Sequence, residues 1–304
     1  MWQRARARLT KDRLLTKTPD KLLISATILA RKAAAYRINK ASGNLQNQFT
    51  IWRNKISRGP EYKNIVIIGC PRSGTTILNL IFKYTVPQCL GWDFEMRAAD
   101  PYIRQTAKKH PELRVVTKHT DDWREINKIR LLIPGVRFIY IWRDPASNIC
   151  SKIRGQKDYT IEPETYIEAY KAMKEQQDRD DFIVVKFRDL VTKPNNTQTM
   201  LQERLGIDCT VPFSEAWRHI PKVEDPKEKK LTYWNARDEA STKNEERREE
   251  FIKQTHHLMA GGIRPFTPET LTEWRKDPAN IKRVNEAYEK HPELKTIEEE
   301  YSND

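Results

Sequence analysis

The stretch Asn64-Ile-Val-Ile-Ile-Gly-Cys-Pro-Arg-Ser-Gly-Thr-Thr-Ile-Leu-Asn-Leu-Ile-Phe82 constrains the fold of this chain more than any other segment. Ile65 to Ile68 is apolar and rich in β-branched residues, the pattern of a strand covered on both faces in a parallel sheet. Gly69 and Gly74 bracket a tight loop, and Thr75 and Thr76 open a helix whose apolar stripe is Ile77, Leu78, Ile81 and Phe82. A strand, a glycine-bracketed loop and a helix N-terminus together make a phosphate cradle, because backbone N–H groups and the helix dipole face an anion there. The Gly69-x4-Gly74 spacing is that of a Walker A loop, yet Thr75 stands where nucleotide triphosphatases carry Lys. The loop is therefore expected to hold a 5′-phosphate group and not a triphosphate. Arg72 supplies charge from inside the turn. An ordinary strand–turn–helix with a Thr cap would share the outline, but Arg72 and Ser73 in one turn favour the anion.

A second segment points the same way. Val136-Arg-Phe-Ile-Tyr-Ile-Trp142 reads as another buried strand and runs into Arg143-Asp-Pro-Ala-Ser-Asn-Ile-Cys-Ser151. Pro145 fits the first turn of a helix, and Ser147 and Ser151, four apart, would share one of its faces. Open α/β sheets bind ligands outside the carboxyl ends of their strands. Arg143 and Ser151 are thus expected to clamp a second phosphate, the alternative being a surface Arg143 paired with Asp144.

Strands are expected at 64–69, 114–117, 137–142 and 182–187. Helices are expected near 75–86, 97–109, 122–133, 145–154, 163–178 and 190–204. This alternation predicts a three-layer α/β fold, with a central parallel sheet of four to five strands flanked by helices. Residues 1–59 read as a basic helical extension, 60–264 as the central domain and 265–304 as a charged helical tail. Gly59-Pro60 marks the first boundary, and Pro265 and Pro268 mark the second. The polar segment 221–245 reads as a loop, and a helix over 244–260 would stop at Gly261-Gly262.

The net charge of +13 favours anionic partners: a nucleotide, an acidic glycan, nucleic acid or an anionic membrane. A basic surface spread for solubility is the plainer reading. Residues 22–37 would form an amphipathic helix, either packed on the domain or lying on a membrane or partner surface. The longest apolar run, Leu22 to Ala30, is too short to span a membrane and the Arg-rich start is unlike a signal peptide, so a cytoplasmic protein is expected. Cys70, Cys89, Cys150 and Cys209 show no metal-ligand spacing and read as reduced side chains.

Taken in order, the two phosphate segments resemble the sulfotransferase family, which uses 3′-phosphoadenosine-5′-phosphosulfate (PAPS). Pro71-Arg-Ser-Gly-Thr-Thr76 is similar to its 5′-phosphosulfate loop, nearest in wording to the tyrosylprotein and bacterial branches. Arg143 followed eight residues later by Ser151 is similar to its 3′-phosphate motif. Phe182-Ile-Val-Val-Lys-Phe-Arg-Asp-Leu-Val191 resembles the family's strand ending in Tyr-Glu-Asp-Leu, with Phe187 in place of Tyr. The resemblance covers roughly Asn64 to Ile263. The family's C-terminal Gly-x-x-Gly-x-Trp-Lys element is not evident; Lys227 to Arg237, with Trp234, lacks its glycines.

The resemblance implies a P-loop-like sulfotransferase fold and transfer of a sulfonate from PAPS to a carbohydrate or small-molecule hydroxyl. Adenosine 3′,5′-bisphosphate would be released and no metal used. It implies cofactor contacts from Arg72, Ser73, Gly74, Thr75, Thr76, Arg143, Ser151 and Phe187. Lys118 would reach the bridging oxygen or the sulfonate. Trp92-Asp-Phe-Glu-Met-Arg97 resembles the Glu-x-Arg element that supplies the base in the tyrosylprotein branch. That makes Glu95 the first candidate for the base, with His119 the rival and Asp93 third. Trp92, Trp123 and Trp234 would either stack on an acceptor ring or pack in the core. Two other functions stay in view. A P-loop nucleotide kinase would need the missing Lys, and a nucleic-acid or membrane role would use the basic N-terminal arm.

Overall fold

The computed structural model describes residues 63–92, 95–152, 158–220 and 267–303. The N-terminal helix, the 221–245 loop, the 244–260 helix, Asp93 and Trp234 of the sequence reading lie outside the described residues. Residues Pro60–Asp304 form one compact unit.

Five strands are present among the described residues: β1 (Asn64–Ile68), β2 (Cys89–Gly91), β3 (Arg114–Lys118), β4 (Arg137–Trp142) and β5 (Phe182–Lys186). They form one parallel sheet in the order β2-β3-β1-β4-β5. The three-layer expectation of a parallel sheet flanked by helices therefore holds, with five strands. β1 is central: β2 and β3 extend the sheet on one side and β4 and β5 on the other. Its tip is the point where strand order reverses, and crevices for ligands open there. Register fixes the neighbours, setting Ile67 opposite Lys118 on β3 and Ile68 opposite Tyr140 on β4. All five β1 residues are buried, as the unbroken apolar run requires of a central strand.

The helices α1 (Thr75–Thr85), α2 (Pro101–Lys109), α3 (Ile126–Leu132), α4 (Pro145–Ile149), α5 (Pro163–Lys174), α6 (Phe187–Thr192) and α7 (Pro194–Leu205) cover the sheet. α1 buries Leu78, Ile81 and Phe82 against Ile65, Ile67, Val116 and Ile139. Several elements differ from the sequence reading: the helix expected near 97–109 begins at Pro101, that near 122–133 is a 3-10 turn (Asp122–Glu125) leading into α3, and that near 163–178 ends at Lys174. The edge strand β2 is three residues long and was not expected. The expected helix over 145–154 ends at Ile149, so Ser151 lies beyond it and does not share a helical face with Ser147. The expected helix over 190–204 is two helices parted at Lys193, because the ring of Pro194 removes an N–H donor and restricts the residue before it.

The chain closes with α8 (Ala216–His219), α9 (Glu269–Thr272), α10 (Pro278–Lys290) and α11 (Glu293–Asn303). The last helix docks on the β4–β5 side. Tyr301 packs edge-on against Trp142 at 5.2 Å, its hydroxyl accepts the Arg188 N–H at 2.9 Å, and its carbonyl accepts Lys186 Nζ at 3.0 Å. Glu300 accepts hydrogen bonds from Tyr170 and Lys174 on α5.

Candidate functional site

The candidate residues follow the carboxyl ends of the strands: Arg72 to Thr76 after β1, Glu95 after β2, Lys118 and His119 at the end of β3, Arg143 and Ser151 after β4, and Phe187 after β5. The loop after β1 is held tight by two glycines. A Cβ on Gly69 would stand 2.5 Å from Ser73 Oγ and 2.7 Å from the Ile141 carbonyl, so only glycine admits this approach. Gly74 caps α1 at φ 108°, and a Cβ there would meet the Phe187 ring at 2.6 Å. Arg72 itself adopts a left-handed φ of 69°, which costs energy in a non-glycine residue and turns its side chain out of an ordinary strand path. The Ser73 N–H closes the turn onto the Cys70 carbonyl at 3.1 Å. The first bonds of α1 run from the Ile77 and Leu78 N–H groups to the Gly74 carbonyl at 3.0 and 3.3 Å, so the Thr75 and Thr76 N–H groups lie before the helix ladder begins. Ser73 is fully buried, and its Oγ has no partner among the described residues.

Arg72 and Arg143 converge on this turn. Arg143 donates from Nη1 to the Arg72 carbonyl at 2.8 Å and from Nε to Ser147 Oγ at 2.9 Å. Its guanidinium lies 4.9 Å from the centre of the Phe187 ring. Arg72 donates from Nε to Ser151 Oγ at 3.2 Å and from Nη2 to the Lys152 carbonyl at 3.3 Å. Ser151, expected beside Arg143 at the second phosphate, accepts from Arg72, and Ser147 accepts from Arg143. The surface pairing of Arg143 with Asp144 is not formed; the Asp144 carboxylate instead caps α4 through the Ser147 N–H at 2.7 Å. Burial, and then the neighbouring Arg72 charge, push the Arg143 pKa down to about 10. Burial also lowers that of Arg72. Both remain cations near neutrality. Two half-buried guanidiniums that donate hydrogen bonds only to neutral acceptors and lie close to each other are an arrangement that an anion relieves.

β3 delivers the third cation. Lys118 is 3 % exposed and its Nζ bridges Glu95 Oε1 at 2.8 Å and Thr76 Oγ1 at 3.0 Å. Burial lowers its pKa and the Glu95 carboxylate acts against that shift. Glu95 is 36 % exposed, so it touches both the buried Lys118 and solvent. Its segment is fastened on two sides, by the Met96 N–H to the Lys118 carbonyl at 2.8 Å and by the Ala98 N–H to Asp122 Oδ2 at 2.9 Å. Asp122 was not singled out in the sequence. Burial pushes its pKa up to about 7, and the Ala98 N–H and Arg97 oppose that. Nothing in the Asp121-Asp122 pair marks which acid turns inward.

His119 follows Lys118 but faces its own turn. Its Nδ1 accepts the Asp121 N–H at 3.1 Å, which leaves the ring proton on Nε2. Burial lowers its pKa. Trp92 meets Tyr102 edge-on at 6.5 Å beside the cluster of Met96, Ile103 and Val115, and Trp123 is 6 % exposed. Both pack as core. A cavity of about 620 Å³ between the 122–125 turn and α5 includes Trp123, Arg124 and Glu168 in its wall but none of the candidate residues. Cys70 and Cys150 are buried free thiols, and burial pushes Cys150 up to about 12. Among the described residues, no cluster of His, Cys, Asp and Glu could hold a metal, and no helix is long and apolar enough to cross a membrane.

Residues 82–212 match the model of the sulfotransferase family. The match begins inside α1, so it does not include the 69–76 loop. No curated protein sequence matches the chain. Solved structures similar to it include the sulfotransferase domain of the Synechococcus PCC 7002 olefin synthase, at 14 % identity and TM-score 0.41, covering 62 % of this chain and 93 % of that one. A sulfotransferase from Mycobacterium tuberculosis H37Rv is 12 % identical at TM-score 0.36, over 50 % of this chain and 70 % of that one. A mouse sulfotransferase complexed with PAP is 14 % identical at TM-score 0.36, over 52 % of this chain and 64 % of that one. Over residues 82–212, less than half of its length, this chain is similar to the sulfotransferase family, a family of enzymes.

Proposed function

We propose that the chain moves the sulfonate group of PAPS to a hydroxyl of a carbohydrate or small-molecule acceptor and releases adenosine 3′,5′-bisphosphate. One observation carries the reading: Arg72 and Arg143, from different strand tips, meet at one turn and hydrogen-bond only to neutral acceptors. PAPS brings a sulfonate already activated on a phosphate leaving group, together with a second phosphate on the ribose. The buried Ser73 Oγ without a partner and the open N–H groups of α1 fit the 5′ end of such a nucleotide. Arg143 and Ser147 fit the ribose phosphate.

In this reading Arg72, the N–H groups at the start of α1 and the hydroxyls of Thr75 and Thr76 hold the 5′-phosphosulfate. Phe187 shapes the floor: its ring fills the space beneath Gly74 and faces the Arg143 guanidinium. Lys118 Nζ, already on Thr76 Oγ1, stands at the edge of the cradle, where the bridging oxygen gains negative charge as the sulfur–oxygen bond breaks. Glu95 takes the acceptor's hydroxyl proton as that oxygen bonds to sulfur. Its carboxylate is next to Lys118 and open to solvent on its other side, so base and electrophilic stabiliser share one contact. His119 is poorly placed for the task, because its unprotonated nitrogen is the one that accepts the Asp121 N–H. Positioning and preorganised charge supply most of the rate, as in phosphoryl transfer.

Glu95→Gln is expected to lower turnover by roughly 10²- to 10⁴-fold while donor binding is kept, and His119→Ala by much less. Steady-state kinetics with one acceptor compare them; the opposite ranking would move the base to His119. The function itself is tested by offering PAPS and a library of hydroxyl compounds and locating any product 80 Da heavier by mass spectrometry, about the mass of one transferred SO₃. Absence of PAPS-dependent product from a folded enzyme that also fails to bind adenosine 3′,5′-bisphosphate would end the proposal.

A further inference from the structure

The wall that holds Arg72 is itself held from the far end of the chain. Ser151 and Lys152 supply both acceptors for the Arg72 guanidinium. They belong to a small antiparallel pair, in which Lys152 bridges to Tyr159 and the Thr160 N–H donates to the Ser151 carbonyl at 3.3 Å. A two-residue ladder of this size has little stability of its own. Its second support is α10.

Arg283 of α10 reaches both flanks of the pair. Its Nε donates to the Ile149 carbonyl at 3.2 Å, at the open end of α4, and its Nη2 donates to the Ile161 carbonyl at 2.7 Å. The guanidinium lies 4.2 Å from the centre of the Tyr159 ring, and Glu162 stands 3.3 Å from Nη2. One turn earlier, Asn280 takes the Tyr159 hydroxyl on Oδ1 at 3.1 Å and the Cys150 thiol on its carbonyl at 3.4 Å. Asp277, which caps α10, is 3.9 Å from Lys152 Nζ. Every residue from Ile149 to Lys152 except Ser151 is therefore tied to α10, and Ser151 is tied to Arg72.

We propose that Arg283, supported by Asn280, is a positioning residue for donor binding: it sets the Ser151–Lys152 wall so that Arg72 is aimed into the phosphate cradle. The C-terminal helices are then part of the nucleotide site's framework and not an added interaction module. The proposal rests on the PAPS reading of the cradle. The planar fork of Arg283 is what the task needs, because one side chain must reach two carbonyls on opposite sides of the pair and still face a ring. A Lys ammonium offers charge without that geometry.

The test is calorimetric titration of the full chain with adenosine 3′,5′-bisphosphate, comparing wild type, Arg283→Ala, Arg283→Lys and Tyr159→Phe, with a thermal melt of each. Wild type is expected to bind. Arg283→Ala and Arg283→Lys are each expected to bind about tenfold more weakly, the loss that follows when hydrogen bonds fixing a charged group are removed. Tyr159→Phe, which deletes only the hydroxyl on Asn280, is expected to lose about two- to threefold. With PAPS as donor, KM for PAPS should rise in the Arg283 variants while kcat and KM for the acceptor stay within about twofold, a split that general loss of folded enzyme would not give. Wild-type affinity in a folded Arg283→Ala overturns the proposal. So does wild-type affinity in Arg283→Lys beside a weakened Arg283→Ala, since the effect would then be one of charge alone. If Arg283→Ala fails to fold, wild-type affinity in both Arg283→Lys and Tyr159→Phe overturns it. Failure of wild type to bind the nucleotide would instead count against the PAPS reading itself.

Discussion

Replacing Arg143 with Ala is expected to weaken binding of adenosine 3′,5′-bisphosphate by roughly 10- to 100-fold, the range for a charge-assisted pair in a desolvated site. The structural reason is local. Arg143 is half-buried at the tip of β4, its guanidinium makes two hydrogen bonds, to Ser147 Oγ and the Arg72 carbonyl, and it faces the Phe187 ring. Burial and the nearby Arg72 charge hold its pKa at about 10, so the free protein carries an electrostatic cost that the bound anion relieves. Removing the guanidinium lifts that cost in the free state. Melting temperature is therefore expected to hold while affinity falls. Calorimetric titration beside a thermal melt separates the two, and unchanged affinity would remove Arg143 from the ribose-phosphate site. The expected loss also falls as salt is added, because the attraction of a multiply charged ligand is screened.

Lys118→Met is expected to lower turnover by about 10²- to 10³-fold with donor affinity changed far less, the size found when one preorganised donor to developing charge is removed. Lys118 is nearly without solvent and rests against Glu95 and Thr76, so Met fills its volume while taking away the ammonium. Breaking a buried ion pair by removing one partner is costly when the other charge stays buried. Here Glu95 is about one-third exposed, and water can solvate it. The variant should therefore fold, and single-turnover rates with saturating PAPS measure the loss directly. A variant with wild-type turnover would place Lys118 outside the reaction and leave it as a structural partner of Glu95.

The local parts of this site were legible in the sequence because short-range geometry dictates them. An unbroken apolar run, two glycines and a Thr-led helix set the cradle locally, and Arg143 at the end of a buried strand is carried to the carboxyl end of the sheet by the strand. Other parts depend on the tertiary fold. The placing of Ser151 on Arg72 and of Ser147 on Arg143 follows from the early end of α4, which no residue between Pro145 and Ser151 announces. β2 is too short to show a period, and it forms because the Arg114 end of β3 offers it an edge. The inward turn of Asp122 toward the Ala98 N–H, and the docking of α10 and α11 on β4, β5 and the Ser151 wall, join residues far apart in sequence. Pro194 did announce the break between α6 and α7; the periodic pattern around it masked the signal.

Both guanidiniums and the α1 N-terminus are read as one nucleotide site, and a crystal structure of the chain grown with adenosine 3′,5′-bisphosphate tests that most directly. The expected result is the 5′-phosphate against Arg72 and the backbone from Gly74 to Thr76, with the 3′-phosphate on Arg143 and Ser147. A nucleotide bound elsewhere, or Arg72 and Arg143 directed at separate surfaces with no phosphate between them, would contradict it.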